Sequence, residues 1–599
     1  MENIQGGALP AEAAGPAGAA EVVEVKEAPA RRAGLVGFLN SRATLLVVGA
    51  LLIGAVFWYL QFKTGSLCCG DYDAYYHFRW SRMLWEGMRT GHFPPSFDAL
   101  PLTTLNPKDY VDHHFLFHVL QIPFTFFSDF QTGAKIGTWL FACLAVFSCY
   151  WLLVRNRVSY PLVWLVAVIG SSGPFLYRMN MGKAMSVSIV LFVIGLHLLF
   201  ERKYRWLLPL AFVFALTYDM FVLLGALAAM WTFVILWSER RLEWRPLAFV
   251  IGGSLLGFVI NPYFPHNFRL LYEHLVIKVT AGDFTTAVGS EWYAYTTWEF
   301  LGNCGVALAA MLVGYLSFKD SASEGRQRAF LLMLFSTLLM LANMRWRRFA
   351  EYFPPFAVLF AAFAAEPLVR RARERYTRRE PADEESPLEL DAPPAPARVE
   401  NARAWELVFV STAFVLLVAS MVWYAKITAQ DIAGMAGPDM YKGGMEWLSK
   451  NAEPGELIFN TDWDDFPKLF FYNPHLAYVS GLDPTYLLDK DRKLAELHGR
   501  LTIAKDLSDE EIANLGPTIR DNFCLGEGEK KRCARYVFTD HEHEDFFNDA
   551  LDSGWFDEVY TDGDCSILRL RAEKGEPPPD NRPPGDSDDE TDEDAPQNN

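Results

Sequence analysis

Apolar runs recur along the first 425 residues, separated by short polar loops. The first, TLLVVGALLIGAVFWYLQF at 44–62, carries no charge and is long enough to cross roughly 30 Å of hydrocarbon. It lies deep in the chain and has no small-residue cleavage pattern after it, so it reads as a span rather than a signal peptide. The pattern predicts eleven spans, over 44–62, 134–154, 160–177, 184–200, 206–218, 220–237, 247–264, 300–318, 328–344, 349–366 and 405–425. The stretch 206–237 is long enough for one tilted helix, but basic loops flank both ends and favour two short spans. The run HFLFHVLQIPFTFF at 114–127 contains two His and a Pro and reads as a helix lying in the interface.

Basic residues orient this array. Arg31, Arg32 and Arg42 place the N-terminus in the cytoplasm, and the basic loops at 155–157, 202–205, 240–245, 319–328 and 370–379 fall on the same side. Parity then puts 63–133, 178–183, 218–219, 266–299, 343–348 and everything after 425 on the opposite face.

The polar segments divide the chain further. Residues 1–42 form a cytoplasmic N-terminus whose Ala, Gly, Pro and Glu content predicts disorder. The membrane domain spans 43–366, with a large external loop at 63–133. A cytoplasmic linker, 367–404, opens on VRRARERYTRR, which serves either to touch anionic lipid or simply to anchor the topology. After the last span at 405–425, residues 426–571 read as a soluble, mixed α/β extracytoplasmic domain. In it, ELIFN and RYVFTD are expected as buried strands and PDMYKGGMEWLSKN as an amphipathic helix. Residues 572–599 form an acidic tail expected to be disordered.

Composition narrows the function classes. Of 599 residues, 51% are hydrophobic and 15% aromatic, which excludes a disordered chain. The net charge of −18 argues against a nucleic-acid partner. Eight Cys are too few for a disulfide scaffold; Cys524 and Cys533 are placed to pair if the compartment is oxidising, and the adjacent Cys68 and Cys69 suit no zinc spacing.

Charged residues beside spans are costly and point to chemistry. The external loop begins GDYDAYYHFR, where Asp71 and Asp73 are spaced to converge on a cation over a bent backbone, to act as acid and base, or to form a solvated turn. Further on, DYVDHHFLFH brings Asp109, Asp112, His113, His114 and His118; the last two share a helix face, and polar lining of a cleft is favoured over a zinc site. GSEW carries Glu291, and NMRWRRF carries Arg345, Arg347 and Arg348, a cluster suited to phosphate or to a charged helix end.

GDYDAYYHFR resembles the first-loop signature of the catalytic subunit of oligosaccharyltransferase at Asp71, Tyr72, Asp73, Tyr75, Tyr76 and Arg79. GSEW resembles that family's later external-loop motif, RWRRFAEYFPP its Arg-Phe segment, and TDWDDF lies where it has Trp-Trp-Asp-Tyr-Gly. The resemblance covers roughly 40–570 and implies a polytopic α-helical GT-C-like fold with a C-terminal mixed α/β domain. It implies Asp73 as the central catalytic or metal-binding carboxylate, Asp71 as its assistant, and Glu291 orienting acceptor or metal. Arg79, Arg178, Lys183, Arg345, Arg348, Trp463 and Asp464 become candidate substrate-binding residues. Asp73, Glu291 and His113 become candidate ligands of a divalent cation, Mg or Mn.

The chain also departs from that pattern. YRMNMGKAMSVS keeps Arg178 and Gly182 but has Met185 and Val187 where the family has acids; Lys183 stands there instead, suited to a phosphate. Trp463-Asp464-Asp465-Phe466 lacks the paired Trp and terminal Gly that read the acceptor hydroxyl of Asn-x-Ser/Thr. The resulting expectation is a membrane glycosyltransferase. It would move a sugar or glycan from a polyprenyl phosphate or pyrophosphate to a glycan, lipid or protein acceptor at the non-cytoplasmic face, among membrane lipids. A true oligosaccharyltransferase acting on protein asparagine, a lipid-linked-sugar transporter or flippase, and a non-catalytic scaffold stay open. The absence of any Asn-x-Ser/Thr sequon in the chain fits a bacterial inner membrane better than an endoplasmic reticulum.

Overall fold

The computed structural model describes residues 41–67, 72–272, 289–318, 323–377, 398–503, 507–526 and 528–575. Cys68, Cys69, Asp71, the middle of the 266–299 loop, most of the 367–404 linker, the acidic tail from 576 and the N-terminus up to residue 40 lie outside them.

Among the described residues, seven helices are long and apolar enough to cross a membrane: Arg42–Gln61, Phe130–Arg155, Asp219–Glu239, Thr297–Ser317, Gly325–Arg345, Phe353–Ala372 and Val408–Ala433. The chain is a multi-pass membrane protein of mainly helical fold. The expected span at 160–177 is instead a pair, Pro161–Ile169 and Gly173–Met179, bent by 85°. Ser172 causes the second helix to start afresh: its hydroxyl accepts from Phe175 N–H, and Pro174 occupies the first turn. The segments at 184–200, 206–218 and 247–264 fold as the shorter helices Met185–Phe200, Tyr204–Thr217 and Arg245–Val259. The stretch 206–237 does divide, at Tyr218, whose backbone is extended. The run 114–127 is helical, over Phe115–Gln121 and Ile122–Phe126. The helix Phe353–Thr377 continues through Pro367 into the basic segment, and Arg398–Ala433 extends past 405–425 at both ends.

The C-terminal domain, called the outer domain after its expected placement, is built on a five-stranded sheet, order β2-β1-β5-β7-β6, with β1 Leu457–Asn460, β2 Ala477–Tyr478, β5 Tyr536–Asp540, β6 Phe556–Thr561 and β7 Cys565–Leu570. β1 runs parallel to β2 and β5, and β7 runs antiparallel to β5 and β6. All four β1 residues are buried, as an interior parallel strand covered on both faces requires. Both expected strands are present, and the expected amphipathic helix is Lys442–Asn451. A small ribbon of β3 Cys524–Leu525 and β4 Arg532–Cys533 is closed by a Cys524–Cys533 disulfide.

One helix of the 63–133 segment, the expected external loop, is α1 (Asp73–Thr90), which joins the bundle to the outer domain. Tyr75 and Phe78 cluster with Ala134 of the bundle and Phe471 of the outer domain. Tyr76, Trp80 and Leu84 enter the core that contains Ile458, Phe466 and Phe538. With aromatic residues buried on both sides, α1 is a wedge whose N-terminal turn is held in place by two hydrophobic cores.

Candidate active site

A cavity of about 470 Å³ opens where the bundle, the external loop and the outer domain meet. Asp73, Tyr76 and His77 line it from α1. The spacing i, i+3, i+4 puts them on one face, and Asp73 in the first turn is favoured by the helix N-terminus. Lys183 Nζ lies 2.8 Å from Asp73 Oδ2. This approach depends on Gly182: a Cβ there would fall 2.8 Å from Ala74 Cβ, so only glycine lets the 180–183 turn come this close to α1.

The second charged group is centred on Arg178, at the end of the bent pair. Its Nη1 donates to Glu291 Oε2 at 2.8 Å, and its Nε donates to Glu351 Oε2 at 2.8 Å. Glu351 is fully buried. Arg348 stands 3.9 Å from Glu291 and stacks over Trp292 at 4.5 Å. It also donates to the Tyr218 hydroxyl at 3.2 Å. Burial pushes the Glu291 carboxyl up, but Arg178, Arg348 and Lys183 overcome this and hold it well below the usual carboxylate range. Arg348 Nε is buried with no hydrogen-bond partner among the described residues.

The outer domain supplies the remaining wall. Helix α2 (Phe466–Tyr472) packs on α1, with Phe471 edge-on to Tyr75 at 5.1 Å and Phe470 against Tyr76 at 5.7 Å. That docking carries the preceding TDWDDF turn into the cavity, which Trp463, Asp464, Asp483 and Tyr486 line.

The cavity thus brings together Asp73, Glu291, Arg178, Lys183, Arg348, Trp463, Asp464 and His113. It excludes two of the expected substrate-binding arginines. Arg79, six residues after Asp73, falls on another face of α1 and lines a separate groove with Arg82, Phe126 and Phe471. Arg345 ends its helix exposed and stacks on Trp346 at 5.4 Å. Asp71 lies outside the described residues.

Of the expected ligand set of Asp73, Glu291 and His113, Asp73 is paired with the Lys183 ammonium and Glu291 with the Arg178 guanidinium, and the donor atoms of the three do not all lie within 4.8 Å of one another. Among the described residues, the one group with donor atoms all within 4.8 Å of one another is Asp462, Asp540 and His543, which reasoning on the sequence missed. They are brought together by the adjacent parallel strands β1 and β5, at whose carboxyl ends ligands bind in open α/β sheets.

No protein-family model and no curated protein sequence matches the chain. Solved structures do. The oligosaccharyltransferase of Archaeoglobus fulgidus in the apo form superposes with a TM-score of 0.51 at 12% identity, over 86% of this chain and 71% of that one. The same enzyme tethered with an acceptor peptide containing the NVT sequon gives 0.53 at 14% identity, over 88% and 74%. ArnT from Cupriavidus metallidurans bound to undecaprenyl phosphate gives 0.48 at 14%, over 89% and 99%. The chain has a GT-C-like membrane fold with a C-terminal mixed α/β domain. Its similarity to the archaeal oligosaccharyltransferase is one of architecture, running through both bundle and outer domain.

Proposed function

We propose that this protein is a membrane glycosyltransferase that moves a sugar or glycan from a polyprenyl phosphate or pyrophosphate to an acceptor. The observation that carries the reading is the cavity's charge arrangement: Lys183 and Arg348 face it beside Asp73 and Glu291, at the junction of an apolar bundle with a soluble domain. Two cations beside carboxylates suit a phosphate leaving group, whose departure is eased when its charge is neutralised. The unpartnered Arg348 Nε is a buried donor suited to a phosphate oxygen. Asp73 orients the acceptor over the anomeric carbon, Glu291 is kept ionised by Arg178 to hold a second acceptor group, and Trp463 offers an apolar face to a sugar ring.

The donor reaches the cavity from the bilayer and reaction takes place at the non-cytoplasmic face. The N-terminus is cytoplasmic and the outer domain extracytoplasmic, in a bacterial inner membrane. A divalent cation, Mg or Mn, fits the Asp462, Asp540 and His543 group behind the Trp463 turn better than the cavity.

Membranes carrying wild type or Asp73→Asn, supplied with radiolabelled native lipid-linked sugars and native acceptors, test the reading. Asp73-dependent transfer of label, with equal insertion of both proteins, is expected. Label in protein asparagine identifies an oligosaccharyltransferase, and label in lipid or glycan another acceptor class. Transfer by the variant at the wild-type rate would refute the role of Asp73, and label that crosses the membrane without forming a new bond would indicate a transporter.

A further inference from the structure

The cavity wall also holds a chain of three buried side chains to which the ion pairs give no task. His77 lies one turn after Asp73, lines the cavity and is 3% exposed. Its Nδ1 is 2.7 Å from His118 Nε2, and His118 Nδ1 is 2.8 Å from Asp112 Oδ2. His118 and Asp112 are 0% and 2% exposed. Asp112 is fixed in turn by the Trp80 indole N–H at 3.0 Å and the His114 backbone N–H at 2.9 Å.

The order of these partners dictates where the protons sit. An ionised carboxylate only accepts, so a neutral His118 carries its proton on Nδ1 and presents a bare Nε2. That nitrogen accepts from His77 Nδ1. The proton of a neutral His77 is therefore on Nδ1, and its Nε2 keeps a lone pair with no hydrogen-bond partner among the described residues. A histidine held by a second group in one tautomer beside a reaction cavity has the arrangement of a general base.

We propose that His77 is the catalytic base that takes the proton from an acceptor hydroxyl, with His118 and Asp112 as the positioning residues that fix its tautomer. The proposal rests on the glycosyltransferase reading. In the step, the acceptor oxygen bonds to the anomeric carbon while the bond from that carbon to the phosphate oxygen breaks. The electron pair leaves with the polyprenyl phosphate, and the hydroxyl proton goes to His77 Nε2, from which it passes to water as product leaves. Asp73, with Oδ2 bound to Lys183, is left to orient the acceptor.

The surroundings agree with a base that is neutral when substrate binds. Burial, then the charges of His118, Lys183 and His113, lower the His77 imidazolium well below its ordinary range. Tyr76 on its own helix, at 5.3 Å between ring centres, and His114, edge-on at 5.1 Å, are further titratable neighbours, and Asp73, Tyr218 and Asp219 line the same cavity.

The test uses full-length protein, radiolabelled native lipid-linked sugars and extracted native acceptors. His77→Ala is expected to lower kcat by roughly 100-fold or more, the usual contribution of a general base. The KM for donor should stay near wild type, and added imidazole should restore part of the rate. His77→Gln, which preserves volume, should lose activity to a similar extent without rescue. Asp112→Asn should lower kcat at least tenfold and displace the acidic limb of the kcat/KM profile, which a purely structural contact would leave in place. Wild-type turnover by His77→Ala or His77→Gln would overturn the proposal, as would a loss that imidazole does not restore and that comes with lost donor binding. Absence of transfer by the wild type in every arm would instead overturn the glycosyltransferase reading itself.

Discussion

Arg178 offers a perturbation whose size follows from the geometry. Its guanidinium is the partner of two carboxylates that differ in exposure. The Glu351 side chain is fully buried and receives Arg178 at 2.8 Å; the Glu291 side chain is 23% exposed and also has Arg348 at 3.9 Å. Arg178→Met therefore leaves one fully buried carboxylate without its close ion-pair partner, Arg348 being the remaining cation near it. Removing one partner of a buried ion pair costs about 3–5 kcal/mol, and nearly all of that should come from Glu351. Glu291 adds little, since solvent and Arg348 remain. The double variant Arg178→Met/Glu351→Leu removes the stranded charge and replaces the pair with apolar groups, a change that is often neutral. Thermal unfolding of detergent-purified protein should thus give a clear loss for the single variant and recovery of most of it in the double. Transfer should behave differently: Glu291 has lost its close partner in both variants, so both should be inactive. Recovered stability without recovered activity separates the structural pair from the functional one. A single variant as stable as wild type, or a double variant no better than the single, would refute this account of Arg178.

The cavity boundary predicts that Arg348→Gln raises the KM for donor at least tenfold, a loss of about 1.4 kcal/mol, whereas Arg345→Gln leaves it within twofold. The depressed Glu291 carboxyl stabilises the fold above its unfolded value of about 4.3, and this contribution is lost as pH falls through the lower folded value. Acid melting curves below about pH 5 should therefore be shallower for Glu291→Gln than for wild type. Replacing Cys524 and Cys533 by Ser should destabilise the outer domain by about 2–3 kcal/mol through the short loop it opens. Transfer at low temperature should be unaffected, because the ribbon does not line the cavity.

How much of this could be read from the sequence depended on the range of the interaction. Long uncharged runs need no partner to be recognised, so the helices appeared where hydropathy placed them. The 85° bend was missed because a hydropathy average passes over Gly170, Ser171, Ser172, Gly173 and Pro174, although each is a local signal for a break. Arg345 and Arg348 looked equivalent as a cluster. Only the helix end between them, with Trp346 extended, sends one to solvent and the other into the cavity.

The charge pairings were out of reach for a different reason. Lys183 was visible near Met185 and Val187, which stand where the resembled family's pattern has acids, but its bond to Asp73 crosses from the bundle to the 63–133 segment and needs Gly182 to make room. The pairing of His114 with His118 by helical spacing had a sound local basis, yet His118 is bound to His77, 41 residues away, because two loop helices pack face to face. Asp462 and Asp540 meet only because β1 and β5 are neighbours in a parallel sheet. In each case the residue type announced chemistry and the fold chose its partner. The same logic accounts for α1: one helix with aromatics buried on both sides fixes Asp73 and His77 against the bundle and draws the Trp463 turn over them. Loosening α1 at Tyr75 or Tyr76 should therefore disturb every wall of the cavity at once, while a change in any single wall residue should disturb only its own contact.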